Sequence, residues 1–409
     1  MMKRVFALLL ITLTLLVLVC PISAEDELPA YSTDYDWDRL ADQNITLNVY
    51  NWGEYISVDD GEEDAFDTIA EFEALTGIKV NYTNFASNEE LYAKLKNGGS
   101  SYDIIIPSEY MVARMINEGM LEMLNLENIP NIRHLDPSFV GLEHDPNNRY
   151  SVAYMWGTVG IIYNKTLVDE EDDVETWDIL WNEKYANDIL MFSNSRDAFG
   201  IALKKLGYSY NTTDEAELNA AAEALKEQKL LVQAYVMDEI FDKMGGGEAA
   251  LAPYYAGDAI TMIAENPDLA FAVPREGTNL FVDSMCIPKG AKNKEAAEIF
   301  INFMCEPKVG VYNCYYIGYS TPSATVKEYL DAEIVEDPIA YPAQEVLDKA
   351  EVYLALPEAT TKLIDNLWTE VLGTAGSSPW MVPAMMLGCI GASLGINLWR
   401  ARKKRRNGQ

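Results

Sequence analysis

Three short stretches concentrate the residue types that do chemistry. YNWGEYI, residues 50–56, sets two tyrosines, an indole and a carboxylate around one glycine. NFASNEE (84–90) and IPSEY (106–110) supply more carboxylates, hydroxyls and aromatic rings. Carboxylates offer charge-assisted hydrogen bonds to a cation. An ammonium over an aromatic face gains about 0.5–2 kcal/mol, more when desolvated. Together these residues suit a ligand that is cationic and partly apolar. Other chemistries lack their parts. The chain has two histidines, His134 and His144, both in Asn/Asp/Pro-rich sequence that reads as surface loop. That weakens Ser-His-Asp, Cys-His and His-metal schemes. HExxH does not occur, GxSxG is met only as GASLG (391–395) inside the uncharged C-terminal stretch, and neither phosphate-binding glycine motif appears. A pair of carboxylates is the machinery of glycoside hydrolysis, but among 64 acids proximity of two carries little information.

The elements that must hold these stretches alternate. ITLNVYNW (45–52), IKVNYTNF (78–85) and YDIIIPS (102–108) read as strands, the last halted by Pro107. Between them, residues 59–77 place Phe66, Ile69, Ala70 and Phe72 at helical spacing and end at Gly77. SNEELYAKLKNGG opens on Ser87 with Glu90 three residues later, a capping box. EYMVARMINEGM is a further helix. This β-α-β-α-β-α order predicts a mostly parallel sheet covered by helices. In such sheets ligands bind beyond the carboxyl ends of the strands, where all three stretches fall. A second α/β unit is predicted over about 159–281, and KNKEAAEIFINFMCEP (292–307) is an amphipathic helix.

The ends are of another kind. Lys3 and Arg4 precede an apolar or Thr run from Val5 to Val19, and PISA leads to Glu25. Residues 1–24 therefore read as a secretory signal. Val19 is large for the position before a lipidated Cys20, so cleavage after Ala24 is the reading preferred. Residues 25–44, acidic and Tyr-rich, read as a solvated arm. PWMVPAMMLGCIGASLGINLW (379–399) has 21 uncharged residues, and RARKKRRNGQ (400–409) adds six bases. About 20 apolar residues span a bilayer with the basic flank cytoplasmic, so a C-terminal transmembrane helix is expected. Without the bases of the two ends, 23 basic side chains face 64 acidic ones. Such a surface repels nucleic acid and attracts cations. Cys286, Cys305 and Cys314 are odd in number and lack a CxxC spacing, which indicates neither a disulfide framework nor a zinc site.

The chain resembles the spermidine/putrescine-binding proteins of ABC importers. The resemblance rests on YNWGEYI, TGIKVNYTNFASNEELYAKLK, YDIIIPSEYMV, DPNNRYSVAYMWGTVGIIYN, TWDILWNEKY, KKLGYSYNTTDEAELNAA, VDSMCIPKGAKNKEAAEIFINF and IGYSTP, in family order over about 45–372. It implies an α/β, type II periplasmic-binding-protein fold with a ligand cleft between two lobes. One lobe would comprise 45–158 and 282–327, the other 159–281 and 328–373. By the resemblance, Trp52 and Tyr55 line the cleft, and Gly53 lacks a hydroxyl that relatives carry. Ser108 and Tyr110 match lining positions, with a plain helix cap as the other reading of Ser108. Asp197 matches an acid that binds an amine, while Asn194 stands where spermidine binders place another acid. Tyr255 replaces a common Trp, and Asp258 matches an acid of putrescine binders. Phe281 and Asp283 match an aromatic and a central acid; Tyr319 matches a wall residue, and Tyr353 aligns loosely. Asp283 is flanked by Val282 and Met285, and a buried unpaired acid is costly, which points to a cationic partner.

The resemblance thus implies an extracytoplasmic polyamine receptor on the outer face of the cytoplasmic membrane. It would deliver ligand to an ABC permease with its ATPase subunits, without cofactor, metal, nucleic acid or catalysis. With Asn194 and Phe281 in place, putrescine is expected to bind at least as well as spermidine. A receptor of the same fold for ferric iron or an amino acid, and an extracytoplasmic hydrolase, are the alternatives.

Overall fold

The computed structural model describes residues 28–59, 61, 65–98 and 101–373. The signal segment, the apolar stretch 379–399 and the basic tail lie outside the described residues. Among the described residues no helix is long and apolar enough to cross a membrane.

The first lobe begins with β1 (Thr46–Trp52), α1 (Thr68–Thr76), β2 (Lys79–Phe85), α2 (Asn88–Lys96), β3 (Ile104–Ile105) and α3 (Glu109–Asn117). Local chemistry sets the boundaries. Asp67 caps α1 by accepting from the Ala70 N–H at 2.8 Å, so the helix starts nine residues later than its acidic lead-in suggests. Gly77, at φ 72°, ends it. Ser87 Oγ accepts from the Glu90 N–H, and Glu90 Oε2 reaches back to the Ala86 N–H, so the capping signal works as read.

β4 (Ser151–Asn164) is a 14-residue strand, buried along almost its whole length, that runs through both lobes. Its first part, Ser151–Thr158, pairs antiparallel with β9; from Val159 onward it pairs antiparallel with β7 and β8. The second lobe carries β5 (Ile189–Phe192), α4 (Ser195–Lys205), α5 (Glu215–Gln228), β6 (Val232–Val236), α6 (Glu239–Gly245), β7 (Leu251–Tyr255), α7 (Ala256–Glu265) and β8 (Leu269–Ala272). The chain returns through β9 (Leu280–Cys286), α8 (Lys294–Met304) and α9 (Pro307–Ile317). Three short helices follow, α10 (Ala324–Tyr329), α11 (Ala332–Val335) and α12 (Gln344–Leu347). Last comes α13 (Glu358–Gly373), which packs on α4 and α5.

In the strand order β2-β1-β3-β9-β4-β7-β5-β6 the first three strands pair parallel, as their alternation with helices predicts, within a sheet that is mixed as a whole. The pairs β1–β2, β1–β3, β5–β6 and β5–β7 are parallel; the centre, where β9 and β4 link the lobes, is antiparallel. Strands joined by helical crossovers run parallel, whereas strands that carry the chain from one lobe to the other do not obey that constraint.

The N-terminal arm leaves Asp34, Asp36 and Asp38 exposed, as a solvated arm would, but is packed onto the first lobe through its aromatic residues. Trp37 is 7 % exposed, its ring 4.5 Å from Tyr35 and 6.2 Å from Phe303. Its Nε1 donates to the Ser32 carbonyl, Tyr31 donates to Glu71, and Tyr35 to the Asn128 carbonyl. Aromatic rings bury roughly 150–250 Å² each, enough to seat the segment on the first lobe despite its acidic composition.

Candidate functional site

The carboxyl ends of the parallel strands from both lobes face one cleft. β1 ends in Trp52, with Gly53 and Tyr55 just beyond; the β2–α2 turn presents Asn88 and Glu89, and the β3–α3 turn Ser108 and Tyr110. Across the cleft, the β5–α4 turn presents Asn194 and Asp197, and β7 runs through Tyr254 and Tyr255 into α7 with Asp258. Phe281 and Asp283 on β9, Tyr319 after α9, and Tyr353 complete the wall. All ten residues singled out in the sequence line this cavity.

Asp283 lies deep in it, 5 % exposed. Ser108 Oγ donates to Oδ1 at 2.7 Å and Tyr55 Oη to Oδ2 at 2.7 Å. Ser108 occupies the cap position of α3 without a side-chain capping bond; its hydroxyl is spent on Asp283 and is itself held by Asn88 Nδ2 at 3.0 Å. Burial pushes the Asp283 carboxyl up to about 6, against the two hydroxyls that lower it.

Asp197 accepts from Tyr255 Oη at 2.6 Å and from Asn194 Nδ2 at 2.8 Å. Asn194 caps α4 through its Oδ1, so the residue standing in place of a second acid orients the first. Asp258 accepts from Tyr319 Oη at 3.0 Å. Burial raises Asp197 and pushes Asp258 up to about 8, with the charges of Asp238, Glu54 and Asp283 adding to the latter. Tyr110 donates to Glu89 at 3.0 Å, and burial raises Glu89 as well.

None of the lining residues is Lys or Arg. The guanidinium of Arg196 lies behind Tyr353, 4.4 Å from its ring centre, donates to Asn211 and the Leu354 carbonyl, and partly offsets the rise at Asp197 and Glu89. Burial still makes these carboxylates costly to ionise, and a ligand cation removes that cost. Aromatic rings form the rest of the surface: Tyr255–Phe281 at 5.4 Å, Phe281–Tyr319 at 6.0 Å, and Tyr319–Tyr55 at 4.8 Å between centroids. Glycines make room for them. A Cβ on Gly257 would collide with the Tyr319 ring, and one on Gly157 would stand 2.9 Å from Phe281 Cζ. Trp52 leans on Phe85 at 4.5 Å, and its Nε1 is buried with no partner among the described residues. The arrangement can hold positive charge at separated points and cover hydrocarbon between them.

Residues that the motifs did not single out also line the cleft, among them Glu89, Met237, Asp238, Tyr254 and Asn279. Glu89 belongs to the acid-rich NFASNEE stretch. Tyr254 is hidden by strand alternation, which predicts that only one of two adjacent tyrosines faces the cleft; β7 gives way to α7 at this point and both do. Nothing in the sequence around Asp238 marks it.

Residues 67–343 match the family described as bacterial extracellular solute-binding protein. The spermidine/putrescine-binding periplasmic protein of Salmonella typhimurium is 37 % identical over 312 residues, covering 76 % of this chain and 87 % of that protein. The putrescine-binding periplasmic protein of Escherichia coli is 29 % identical over 350 residues, covering 81 % and 92 %. Among solved structures, the spermidine/putrescine ABC transporter substrate-binding protein of Streptococcus pneumoniae superposes with a TM-score of 0.66 at 38 % identity, covering 80 % of this chain and 98 % of that one.

Proposed function

Because the chain belongs to the bacterial extracellular solute-binding protein family, we propose that it is a polyamine receptor that hands putrescine or spermidine to an ABC permease. The observation that carries this reading is the set of buried acids, Asp197, Asp258 and Asp283, in an aromatic-walled cleft whose lining holds no cationic side chain. Ammonium groups meet the carboxylates and the rings of Trp52, Tyr255, Phe281 and Tyr319 enclose the methylenes. An amino acid brings a carboxylate of its own, which would find only like charge here. A ferric ion has no use for hydrocarbon walls. The receptor binds and releases without catalysis; the ATPase subunits of its partner supply the energy.

The lobes divide where β4 exchanges β9 for β7, between Thr158 and Val159, and closure about that strand encloses the ligand. Residues 1–24 direct export. The apolar stretch 379–399 and its basic flank anchor the receptor to the outer face of the cytoplasmic membrane.

A thermal-shift screen tests the function. A ligand present at one hundred times its Kd stabilises by about 2.7 kcal/mol, so putrescine or spermidine raises the unfolding midpoint. A midpoint that responds to ferric ion or an amino acid and to neither amine overturns the reading, as does turnover of a glycoside.

A further inference from the structure

One side of the cleft mouth carries charge that a diamine does not need. Asp238 follows β6, on the lobe opposite β1. Its carboxylate makes no hydrogen bond or ion pair among the described residues. It sits against Gly53: a Cβ on Gly53 would stand 2.5 Å from Asp238 Oδ2. The missing side chain at Gly53 is therefore the space the carboxylate occupies.

Glu54, the next residue along, is exposed, unpaired among the described residues, and held at φ 46°. Asp238 is exposed at the cleft mouth, and desolvation there together with the charges of Glu239 and Glu54 pushes its carboxyl up to about 6. Asp258 feels Asp238 and Glu54 ahead of Asp283, while Asp283 feels Asp197. Asp238 thus joins Asp197, Asp258 and Asp283 in the lining of one cleft. A second observation marks the same place. Tyr254 is 2 % exposed and lies in the cleft wall, yet its hydroxyl makes no hydrogen bond among the described residues. The carboxylates that act on it most are Asp258 and Asp238. That hydroxyl opens into the cleft, where it can accept from an ammonium held by Asp238.

We infer that Asp238, seated on Gly53 and joined by the Tyr254 hydroxyl, is a station for a third ammonium group, so that the cleft favours an alkyl triamine over a diamine. The inference rests on the polyamine reading and deepens it. It also reverses the preference expected from Asn194 and Phe281, because Asp238 supplies an acid that Asn194 lacks; Asn194 Nδ2 lies 3.5 Å from Sδ of Met237, the residue before it.

The test is calorimetric titration of the full chain with putrescine and with spermidine, for the wild type, Asp238→Asn and Tyr254→Phe. Wild type is expected to bind spermidine more tightly. The ratio of spermidine to putrescine affinity is expected to fall about tenfold in Asp238→Asn, as for loss of a partly desolvated charge pair, and about threefold in Tyr254→Phe. Gly53→Ser, which displaces the carboxylate, should lower the ratio as well. An unchanged ratio in Asp238→Asn, or a wild-type preference for putrescine, overturns the third station and leaves the polyamine receptor standing. Wild-type binding of neither amine overturns both.

Discussion

Asp283→Asn separates charge from shape at the deepest acid of the cleft. Both oxygens of Asp283 accept from hydroxyls, Ser108 Oγ and Tyr55 Oη, each at 2.7 Å. A hydroxyl can turn and accept instead, so an amide fits the same place. What is lost is one charge opposite an ammonium. Truncating one member of a buried, hydrogen-bonded charge pair costs about 2–5 kcal/mol. With about 1.4 kcal/mol to a factor of ten, affinity for either amine falls by at least about thirtyfold. The ligand-free protein responds in the opposite sense. Burial holds the Asp283 carboxyl at about 6, so near neutral pH the wild type ionises it at a cost that asparagine avoids. The unfolding midpoint without ligand therefore holds or rises. Calorimetry and thermal unfolding on the same two proteins read both effects. Unchanged affinity for both amines refutes the reasoning. So does a loss of binding accompanied by a lower ligand-free midpoint, because the residue would then be serving the fold.

The acids also set a pH dependence. Asp283 and Asp258 are raised to about 6 and about 8, so the ligand-free folded state holds more protons than the unfolded chain between about 4 and 8. Their contribution to stability is lost as pH rises through that window, and polyamine affinity rises through it as binding expels protons; calorimetry in buffers of different ionisation enthalpy counts them, and a count of zero near pH 7 refutes the assignment. Gly257→Ala pushes a methyl into the Tyr319 ring that steadies Asp258. Overpacking of this kind costs about 1–3 kcal/mol, so midpoint and affinity should fall together, and an unaltered pair of values counts against the close packing. Burial pushes the thiols of Cys305 and Cys314 up to about 12 and raises Cys286 as well; all three should resist alkylation in the native protein, as mass spectrometry of the labelled peptides will show, and ready labelling refutes their burial. Truncation after Ser378 should release folded receptor into the medium, and retention of the truncated protein in the membrane fraction refutes the anchor.

Local signals were legible where one short stretch decides the outcome. Ser87 with Glu90 specifies a capped helix start, and Gly77 a stop, whatever the rest of the chain does. The site residues inside quoted motifs were legible for a related reason: each motif is a strand end running into a turn, and strand ends meet at the cleft. Decisions taken between distant segments were not legible. Nothing local to VDSMC says that β9 runs antiparallel to β3 and β4. Nothing local to Trp37 reveals the ring of Phe303, 266 positions away in number, that buries it. Asp238 is the same kind of case, since its importance depends on the empty space at Gly53 across the cleft.

The two ends of the described chain depart from different lobes. The arm with Trp37 is fastened to the first, beside α8, whereas α13 is fastened to the second, on α4 and α5. A tether beyond Gly373 would therefore ground the second lobe and make the first the swinging jaw. Closure would then carry β1, with Trp52 and Tyr55, toward a stationary Asp197 and Asp258. A lipid attached ahead of Leu28 would ground the first lobe and set the second in motion against it. The choice of terminus decides which half of the receptor a membrane-bound permease meets as a fixed surface and which it meets as a moving one.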